Sequence, residues 1–371
     1  MVKNRNILLC FGTRPEAIKM APLYHELQQN NFEVKVCVTA QHREMLDQVL
    51  DFFEIIPDYD LNLMQPNQTL NGLSAKILSE IDVVLTKEQP DLVLVHGDTT
   101  TSAMVALASF HLGVKVGHVE AGLRTYNKQA PFPEEVNRQI SSRIVDFHFT
   151  PTQQATQNLL QEGIAKTAII QTGNTVIDAL LWTVNKISKE EYLHPEIEEL
   201  KKLIPLHKKT LLVTGHRRES FGEGIKNLCE ALLETAKRDD VVIVYPVHLN
   251  PNVKDVVYEL LSKKENILLI PPVSYPAFVW LMQQSFIIVT DSGGIQEEAP
   301  SLGKPVVVTR TISERPEGVS AGFSTLVGTD KNRIVCTIQN LLDNFVGFEK
   351  SNNPYGNGCA SKQIVDYLLK K

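Results

Sequence analysis

The chain has 371 residues, 43% of them hydrophobic and 22% charged, and its 37 Lys and Arg against 43 Asp and Glu leave a net charge of −6. This composition excludes a disordered, collagen-like or coiled-coil chain. Without a basic surplus, a nucleic-acid-binding protein is not expected either. The length favours two domains, and we expect a small anionic ligand held by a few local cations.

Five cysteines lie far apart and form neither a CxxC pair nor a Cys/His cluster. The spacing therefore predicts no disulfide framework and no metal site. The apolar run Ile7–Phe11 is too short for a signal peptide or a membrane-spanning helix. We expect a soluble protein of the cytoplasm that does not bind membranes.

Short aliphatic runs alternate with longer amphipathic stretches along the chain. The predicted strands are Asn6–Phe11, Glu33–Thr39, Leu92–His96, Lys115–Val119, Phe147–Thr150, Ala168–Gln171, Thr210–Thr214, Val241–Pro246, Ile267–Ile270, Phe286–Thr290, Pro305–Val308 and Thr325–Val327. The predicted helices include Glu16–Gln29, Arg43–Phe53, Leu70–Thr86, Thr100–Leu112, Gly224–Arg238, Asn252–Lys263, Gly294–Leu302 and Lys331–Asp343. Apolar strands that alternate with helices indicate parallel sheets covered on both faces.

Twelve strands are too many for one doubly wound sheet, and the series breaks at the charged segment Ser188–Lys209. We therefore predict two Rossmann-like domains, residues 1–175 and 176–359, that face an interdomain cleft. Ligands bind such sheets at the carboxyl ends of the strands. The polar clusters that follow predicted strands are Gly12–Lys19, His96–Thr101, His118–Thr125, Gly215–Glu219 and Asp291–Glu298. Their position predicts the active site.

Two of these clusters are candidate phosphate sites. Asp291–Glu298 begins a helix with two glycines, where backbone N–H groups can bind an anion. The alternative is a tight turn in which Asp291 is the N-cap. Arg14 and Lys19 bring cations to another helix start, and Arg315 supplies a third, although each could also form a surface ion pair. No GxGxxG or GxxxxGK[ST] motif is present, so neither a nicotinamide cofactor nor an NTPase is expected.

The candidate acid/base residues are three carboxylates and one histidine. Asp98 and Glu120 follow apolar strands, where a buried charge is costly unless it is paired or functional. Glu134 lies in a proline-stiffened segment before a helix. The alternatives are structural: Asp98 as a helix cap, Glu120 as a partner of Arg124, and Glu134 at the third position of its helix. His216, directly after a buried strand and Gly215, could donate to a phosphate or move a proton, or be a core histidine.

The clusters together resemble the bacterial non-hydrolysing UDP-N-acetylglucosamine 2-epimerases. The matching segments run in order along the chain: Phe11–Pro22, Thr39–Met45, Val95–Thr101, Gly117–Thr125, Thr172–Asp178, Thr214–Glu219, Tyr245–Pro251, Thr290–Pro300 and Glu314–Glu317.

The resemblance implies a GT-B architecture in which the last helix, within residues 360–371, crosses back to the N-terminal domain. It implies an isomerase without a cofactor that interconverts UDP-N-acetylglucosamine and UDP-N-acetylmannosamine through 2-acetamidoglucal, for a surface polysaccharide. A homodimer is expected by resemblance alone. The implied catalytic residues are Asp98, Glu120, Glu134 and His216. The implied substrate-binding residues are Arg14, Lys19 and Arg315 with Ser292, Gly293 and Gly294 at the diphosphate, Glu298 at the ribose and Phe278 at the uracil.

Some relatives bind a second UDP-N-acetylglucosamine molecule as an activator. The residues that match this region are Gln41, His42 and His248. Asn67 and Gln68, however, stand where some relatives carry an arginine, so the sequence leaves the need for an activator open.

Two other functions share parts of this pattern. A GT-B glycosyltransferase would have the same fold and UDP site but would need an acceptor alcohol. A non-catalytic sensor would bind the nucleotide-sugar without turnover, and the acid/base set would then be accidental.

Overall fold

A computed structural model of the chain describes residues 5–39, 43–65, 68–205, 207–215, 217, 220–348 and 353–371, with the backbone alone described for 43–45. These residues form two compact units, Met1–Ala179 with Tyr355–Lys371, and Leu180–Pro354. Within the same ranges, no helix has both the length and the hydropathy needed to cross a bilayer.

The first unit contains a seven-stranded parallel sheet of order β3-β2-β1-β4-β5-β6-β7. Its strands are β1 (Asn6–Phe11), β2 (Glu33–Val38), β3 (Tyr59–Asp60), β4 (Leu92–His96), β5 (Lys115–Val119), β6 (Phe147–Thr150) and β7 (Ile169–Gln171). The helices that follow its strands are α1 (Arg14–Gln29), α2 (Arg43–Phe52), α3 (Leu70–Glu88), α4 (Thr100–His111), α5 (Glu134–Ile144) and α6 (Gln153–Gln161). Helix α7 (Thr175–Ile187) begins in this unit and ends in the second.

The first strand and helix show why the sequence folds in this way. Leu8 and Cys10 of β1 pack into the core cluster that includes Ile77 and Ile81 of α3, and burial of such side chains drives the helices onto the sheet. Helix α1 then begins after Thr13, whose side chain forms a capping box with Glu16.

The second unit contains a six-stranded parallel sheet of order β10-β9-β8-β11-β12-β13. Its strands are β8 (Lys209–Thr214), β9 (Val241–Pro246), β10 (Ile267–Ile270), β11 (Ser285–Thr290), β12 (Val306–Val308) and β13 (Ser324–Leu326). Its helices are α8 (Pro195–Leu203), α9 (Glu223–Thr235), α10 (Pro251–Leu261), α11 (Tyr275–Gln284), α12 (Gly293–Glu298), α13 (Pro316–Ser320) and α14 (Lys331–Asn344). Its core joins the strands to α9, α10 and α14.

The last helix, α15 (Ala360–Leu369), belongs to the first unit. The Tyr367 ring meets those of Phe147 and Phe149 edge-on, with centroids 5.7 and 6.0 Å away. Arg5 Nη1 donates to the Leu368 carbonyl at 2.8 Å, and the Asp178 carboxylate accepts from the Ser361 N–H at 2.7 Å. Unit 1 is therefore closed by segments from both ends of the chain.

The two parallel sheets confirm the predicted two-domain Rossmann-like fold. In each sheet the strand order reverses at one point, between β1 and β4 in the first unit and between β8 and β11 in the second. Ligands of such sheets bind at the carboxyl ends of the strands beside this reversal. The predicted polar clusters follow β1, β4 and β5 in the first unit, and β8 and β11 in the second.

Candidate active site

Glu16 links the loops that follow β1 and β4. Its Oε2 accepts from the N–H groups of Gly12 and Thr13 at 3.1 and 2.8 Å, and its Oε1 accepts from Thr99 Oγ1 at 2.7 Å. Burial raises the pKa of Glu16 to about 7, although these hydrogen bonds act in the opposite direction. The two loops are thereby fixed to each other.

Glu120 lies at the centre of the first unit's polar cluster. It follows β5 directly, is 4% exposed and has a left-handed backbone conformation, with φ of 63°. Lys19 of α1 donates to its Oε2, and Asn174 Nδ2 reaches the same oxygen at 3.0 Å. The alternative pairing with Arg124 is wrong, because the Arg124 side chain binds Glu162 at 2.7 Å.

Arg138 of α5 connects Glu120 with Asp98. Its Nη2 lies 3.0 Å from Glu120 Oε1 and 2.7 Å from Asp98 Oδ2. The alternative role of Asp98 as a helix cap is wrong, because the N-cap of α4 is Thr99, which accepts from the Ser102 N–H at 3.1 Å. The structure thus brings Asp98 and Glu120 together around one buried cation.

Glu134 is the first residue of α5 rather than the third, as the structural alternative had it. Its Oε2 is buried and has no hydrogen-bond partner among the described residues. Burial raises the pKa of this half-buried carboxyl, and the charge of Asp98 raises it further. Asp98, Glu134 and Asn137 line one cavity of about 430 Å³. Two carboxyl groups, one of them with a raised pKa, therefore line the same cavity.

Two buried histidines lie beside this cluster. His96 Nε2 is 3.8 Å from Glu120 Oε2, and within the described ranges neither of its ring nitrogens forms a hydrogen bond. Burial lowers the pKa of His96 to about 3, so its ring is neutral near pH 7. His118 Nε2 contacts the Gly97 carbonyl oxygen at 2.6 Å. The predicted catalytic His216 lies outside the described residues.

The remaining predicted residues of the first unit lie on α1, and His248 is the one predicted activator residue that the structure describes. Arg14 is half-buried at the start of α1, and Lys19 is bound to Glu120. His248 is exposed and its Nδ1 accepts from the Asn250 N–H at 3.1 Å. Three residues of the activator region, Gln41, His42 and Asn67, fall outside the described part of the chain.

The predicted phosphate turn of the second unit lies between β11 and α12. Ser292 is the N-cap of α12 and its N–H donates to Thr290 Oγ1 at 2.9 Å. Asp291 is not the cap, because its carboxylate accepts from the Arg217 N–H at 2.9 Å. A Cβ on Gly293 would lie 3.1 Å from Glu314 Oε1. The glycine therefore allows the Glu314 loop to approach the turn.

Arginines gather around Glu314 beside this turn. Arg217 Nη2 and Arg310 Nη1 lie 3.1 and 2.5 Å from its carboxylate, while Arg315 donates to Glu297. Burial alone would raise the pKa of Glu314, but the three guanidinium groups outweigh it and lower the pKa to about 2. The second unit thus places positive groups next to the Ser292–Gly294 turn.

Glu298 contacts helix α11 of the second unit, and Phe278 lies on that helix. Glu298 is 7% exposed and accepts from Tyr275 Oη at 3.2 Å, so its carboxylate is not solvated. Phe278 lies one turn after Tyr275 on α11 and is half-buried.

Sequence reasoning missed several residues of both clusters, namely Glu16, His96, Arg138, Asn174 and Arg310. Asn174 follows β7 and could have been selected by the strand-end rule. Arg138 lies inside an amphipathic helix, where an arginine is typical of the solvated face. Within the described ranges, no three His, Cys, Asp or Glu side chains are grouped so as to hold a metal ion.

Comparison with known proteins places the chain among nucleotide-sugar enzymes. A family model described as UDP-N-acetylglucosamine 2-epimerase matches residues 25–369. The UDP-N-acetylglucosamine 2-epimerase of Escherichia coli K12 is 53% identical over 98% of both chains.

Two solved structures are also similar. The Neisseria meningitidis UDP-GlcNAc 2-epimerase bound to UDP-GlcNAc has a TM-score of 0.91 and 50% identity, covering 99% of this chain and 100% of that one. The Methanocaldococcus jannaschii UDP-GlcNAc 2-epimerase in complex with UDP-GlcNAc and UDP has a TM-score of 0.84 and 33% identity, with the same coverage. The matches extend over nearly the whole chain and confirm the predicted isomerase class, so the chain belongs to the UDP-N-acetylglucosamine 2-epimerase family.

Proposed function

We propose that the protein interconverts UDP-N-acetylglucosamine and UDP-N-acetylmannosamine by the non-hydrolysing route. The E. coli relative is named for this epimerisation, and the N. meningitidis and M. jannaschii structures are described as holding UDP-GlcNAc. The observation that carries the proposal is the carboxylate cluster of the first unit. Asp98 and Glu134 line one cavity, and Glu120 shares Arg138 with Asp98.

The chemistry needs such a cluster. C2 of this sugar carries an acetamido group and has no adjacent carbonyl, so its proton is weakly acidic. When a carboxylate removes that proton, the C–H electron pair forms the C1=C2 double bond and the C1–O pair leaves with UDP. A carboxyl group on the opposite face then protonates C2, and a UDP oxygen re-forms the bond to C1. Acid/base groups on two faces are therefore required.

The leaving diphosphate needs positive groups and helix-start N–H groups. We assign this role to Arg14, Lys19 and Arg315 with the Ser292–Gly294 turn. We assign the ribose to Glu298, the uracil to Phe278, and proton donation or charge stabilisation at the diphosphate to His216. Cytoplasmic location, a homodimer, an activator at Gln41, His42 and His248, and supply of a surface polysaccharide belong to the same proposal.

Proton NMR in deuterated water tests the reaction. Pure protein and UDP-N-acetylglucosamine, without nicotinamide or metal, are expected to give UDP-N-acetylmannosamine with deuterium at C2 of both epimers. Conversion without exchange would exclude the elimination route. A glycosyltransferase would leave the nucleotide-sugar unchanged until an acceptor alcohol is added, and a sensor would bind it without turnover.

Two substitutions test the carboxylate cluster. Asp98→Asn and Glu120→Gln are expected to lower kcat by about 10³-fold or more, since acid/base groups contribute on this order. UDP affinity, measured by calorimetry, should stay within about threefold, because the proposal assigns UDP to other residues. Near-normal rates in both variants would show that these carboxylates are structural.

A further inference from the structure

The Arg138 guanidinium joins the two carboxylates that follow the neighbouring strands β4 and β5. Its Nε donates to Asp98 Oδ2 at 2.9 Å, and its Nη2 lies 2.7 Å from the same oxygen. Its Nη1 donates to the Glu120 carbonyl at 2.8 Å, and its Nη2 donates to Glu120 Oε1 at 3.0 Å. Arg138 is only 6% exposed. Every nitrogen of this buried side chain thus contacts a residue of the carboxylate cluster.

In this arrangement one cation offsets the repulsion between two carboxylates. Two carboxylates that share a poorly hydrated site disfavour each other's charge, and one of them tends to take up a proton. A guanidinium remains charged, and its donors lie in one rigid plane, so it can hold both carboxylates at once. Lys19 binds the other oxygen of Glu120. A lysine in place of Arg138 would supply charge without the planar geometry.

Glu134 lies one helical turn before Arg138 on α5, but in a different environment. Its Oε2 is buried and forms no hydrogen bond to any described residue. Burial raises the pKa of Glu134 and the nearby charge of Asp98 raises it further, whereas its own backbone N–H and Arg138 only partly oppose this. Helix α5 therefore supplies the cation that binds Asp98 and Glu120, and it also carries Glu134, whose raised pKa favours its protonated form.

We propose that Arg138 is a positioning residue that holds the Asp98 and Glu120 carboxylates at a fixed separation as proton acceptors and leaves Glu134 as the proton donor. This inference rests on the proposed function. The C2 proton passes to an ionised carboxylate as the C1–O electron pair leaves with UDP. On return, the Glu134 proton is transferred to C2 as a UDP oxygen bonds to C1. Exchange with solvent then restores both carboxyl groups.

The test compares Arg138→Met and Arg138→Lys with a matched control, Arg124→Met. Arg124 is also a fully buried arginine of the first unit, but it binds Glu162 and Ser142 rather than the cluster. We expect Arg138→Met to lower kcat by about 10³-fold, and Arg138→Lys to recover about tenfold of this loss because it keeps the charge. UDP affinity should stay within about threefold in both, and Arg124→Met should keep kcat within about fivefold.

A double-mutant cycle with Asp98→Asn separates positioning from folding. If Arg138 acts through Asp98, the double variant is about as slow as the slower single variant, because residues that act as a unit are not additive. The inference is overturned if the losses multiply, if Arg124→Met is as slow as Arg138→Met, or if Arg138→Lys has wild-type kcat. A wild-type kcat in Arg138→Lys overturns the inference even if Arg138→Met does not fold. An inactive wild-type protein would instead overturn the proposed function and this inference with it.

Discussion

Glu16 shows how one buried side chain can connect two loops that carry predicted site residues. Its carboxyl group holds Gly12 and Thr13 on one loop and Thr99 on the other. Arg14 follows Thr13, and Asp98 precedes Thr99. The position of Glu16 therefore affects where these two predicted site residues lie. The cost of burying this carboxyl group appears in its pKa of about 7.

That pKa predicts a pH dependence of stability. Because the pKa of Glu16 is raised on folding, the folded state binds its proton more tightly than the unfolded state does. The stabilisation is present below the ordinary pKa of 4.5 and is lost as pH rises through about 7. Relative to Glu16→Gln, the wild-type free energy of unfolding should fall by up to roughly 3 kcal/mol between pH 4.5 and 8.

Urea denaturation of both proteins across this pH range measures the difference. The comparison with Glu16→Gln cancels the contributions of other groups, such as His96, whose lowered pKa acts in the opposite direction. A difference between the two proteins that does not change with pH would show that Glu16 keeps an ordinary pKa when folded.

At the scale of single residues, the sequence identified several candidate site residues but not the residues that they contact. Asp98, Glu120 and Glu134 could be selected because each carboxylate occurs at the end of an apolar strand or the start of a helix. Arg138 could not be selected, because its partners are distant in sequence and only the order of β4 and β5 in the sheet brings them to it. His216 was selected on the same strand-end rule, and its role stays a prediction.

Helix caps connect the elements to the site. Thr99 caps α4 and also donates to Glu16, whereas Thr152 caps α6 through the Ala155 N–H alone. Thr99→Ala removes a cap, worth about 1 kcal/mol, and leaves a buried carboxyl oxygen without its donor. We expect Thr99→Ala to lower the free energy of unfolding by about 2–3 kcal/mol and Thr152→Ala by about 1 kcal/mol.

The same pair of variants can be compared in activity. Thr99→Ala should lower kcat by about tenfold because Asp98 precedes the cap, whereas Thr152→Ala should not change kcat. Equal effects of the two substitutions on both stability and kcat would mean that the bond to Glu16 contributes little.

The turn after β5 depends on Gly122. Its φ is 87°, and a Cβ there would lie 2.4 Å from the carbonyl oxygen of Ala155 on α6. Gly163 also has a positive φ, of 82°, but nothing lies within 4 Å of a Cβ. Thermal denaturation should show a loss of at least about 3 kcal/mol for Gly122→Ala, against about 1 kcal/mol for Gly163→Ala. Similar losses would mean that α6 moves aside easily.

The element pattern was largely predictable, because apolar strands and amphipathic helices have different periods. All twelve predicted strands are present; six have the predicted bounds, and the ends of the other six differ by at most one residue. The two-residue strand β3 was missed, since Tyr59 and Asp60 carry no periodic signal. Within the segment Ser188–Lys209, where the sequence predicted only a break because it is charged and poor in strand formers, helix α8 occupies Pro195–Leu203.

At the scale of the whole molecule, the first unit needs residues that are far apart in sequence. Leu368 of α15 is 2% exposed, so Leu368→Ala should lower the free energy of unfolding by about 2–4 kcal/mol. Lys362 lies on the same helix and pairs with Asp366 at the surface, so Lys362→Ala should change stability by less than about 0.5 kcal/mol. Equal melting temperatures of the two variants in calorimetry would contradict this role of α15.

The presence of two parallel sheets followed from the sequence, because twelve strands are too many for one doubly wound sheet and the series breaks near residue 188. The exact division did not, since it falls inside α7, between Ala179 and Leu180. Helix periodicity carries no mark of such a division, because the helix continues through it.

The return of α15 to the first unit also bears on synthesis by the ribosome. All of Leu180–Pro354 is translated before Tyr355–Lys371, and nascent domains generally fold as units when their residues have emerged. The second unit is therefore complete in sequence before the first unit is. A chain cut short after Pro354 would contain every residue of the second unit but would lack the segment that completes the first.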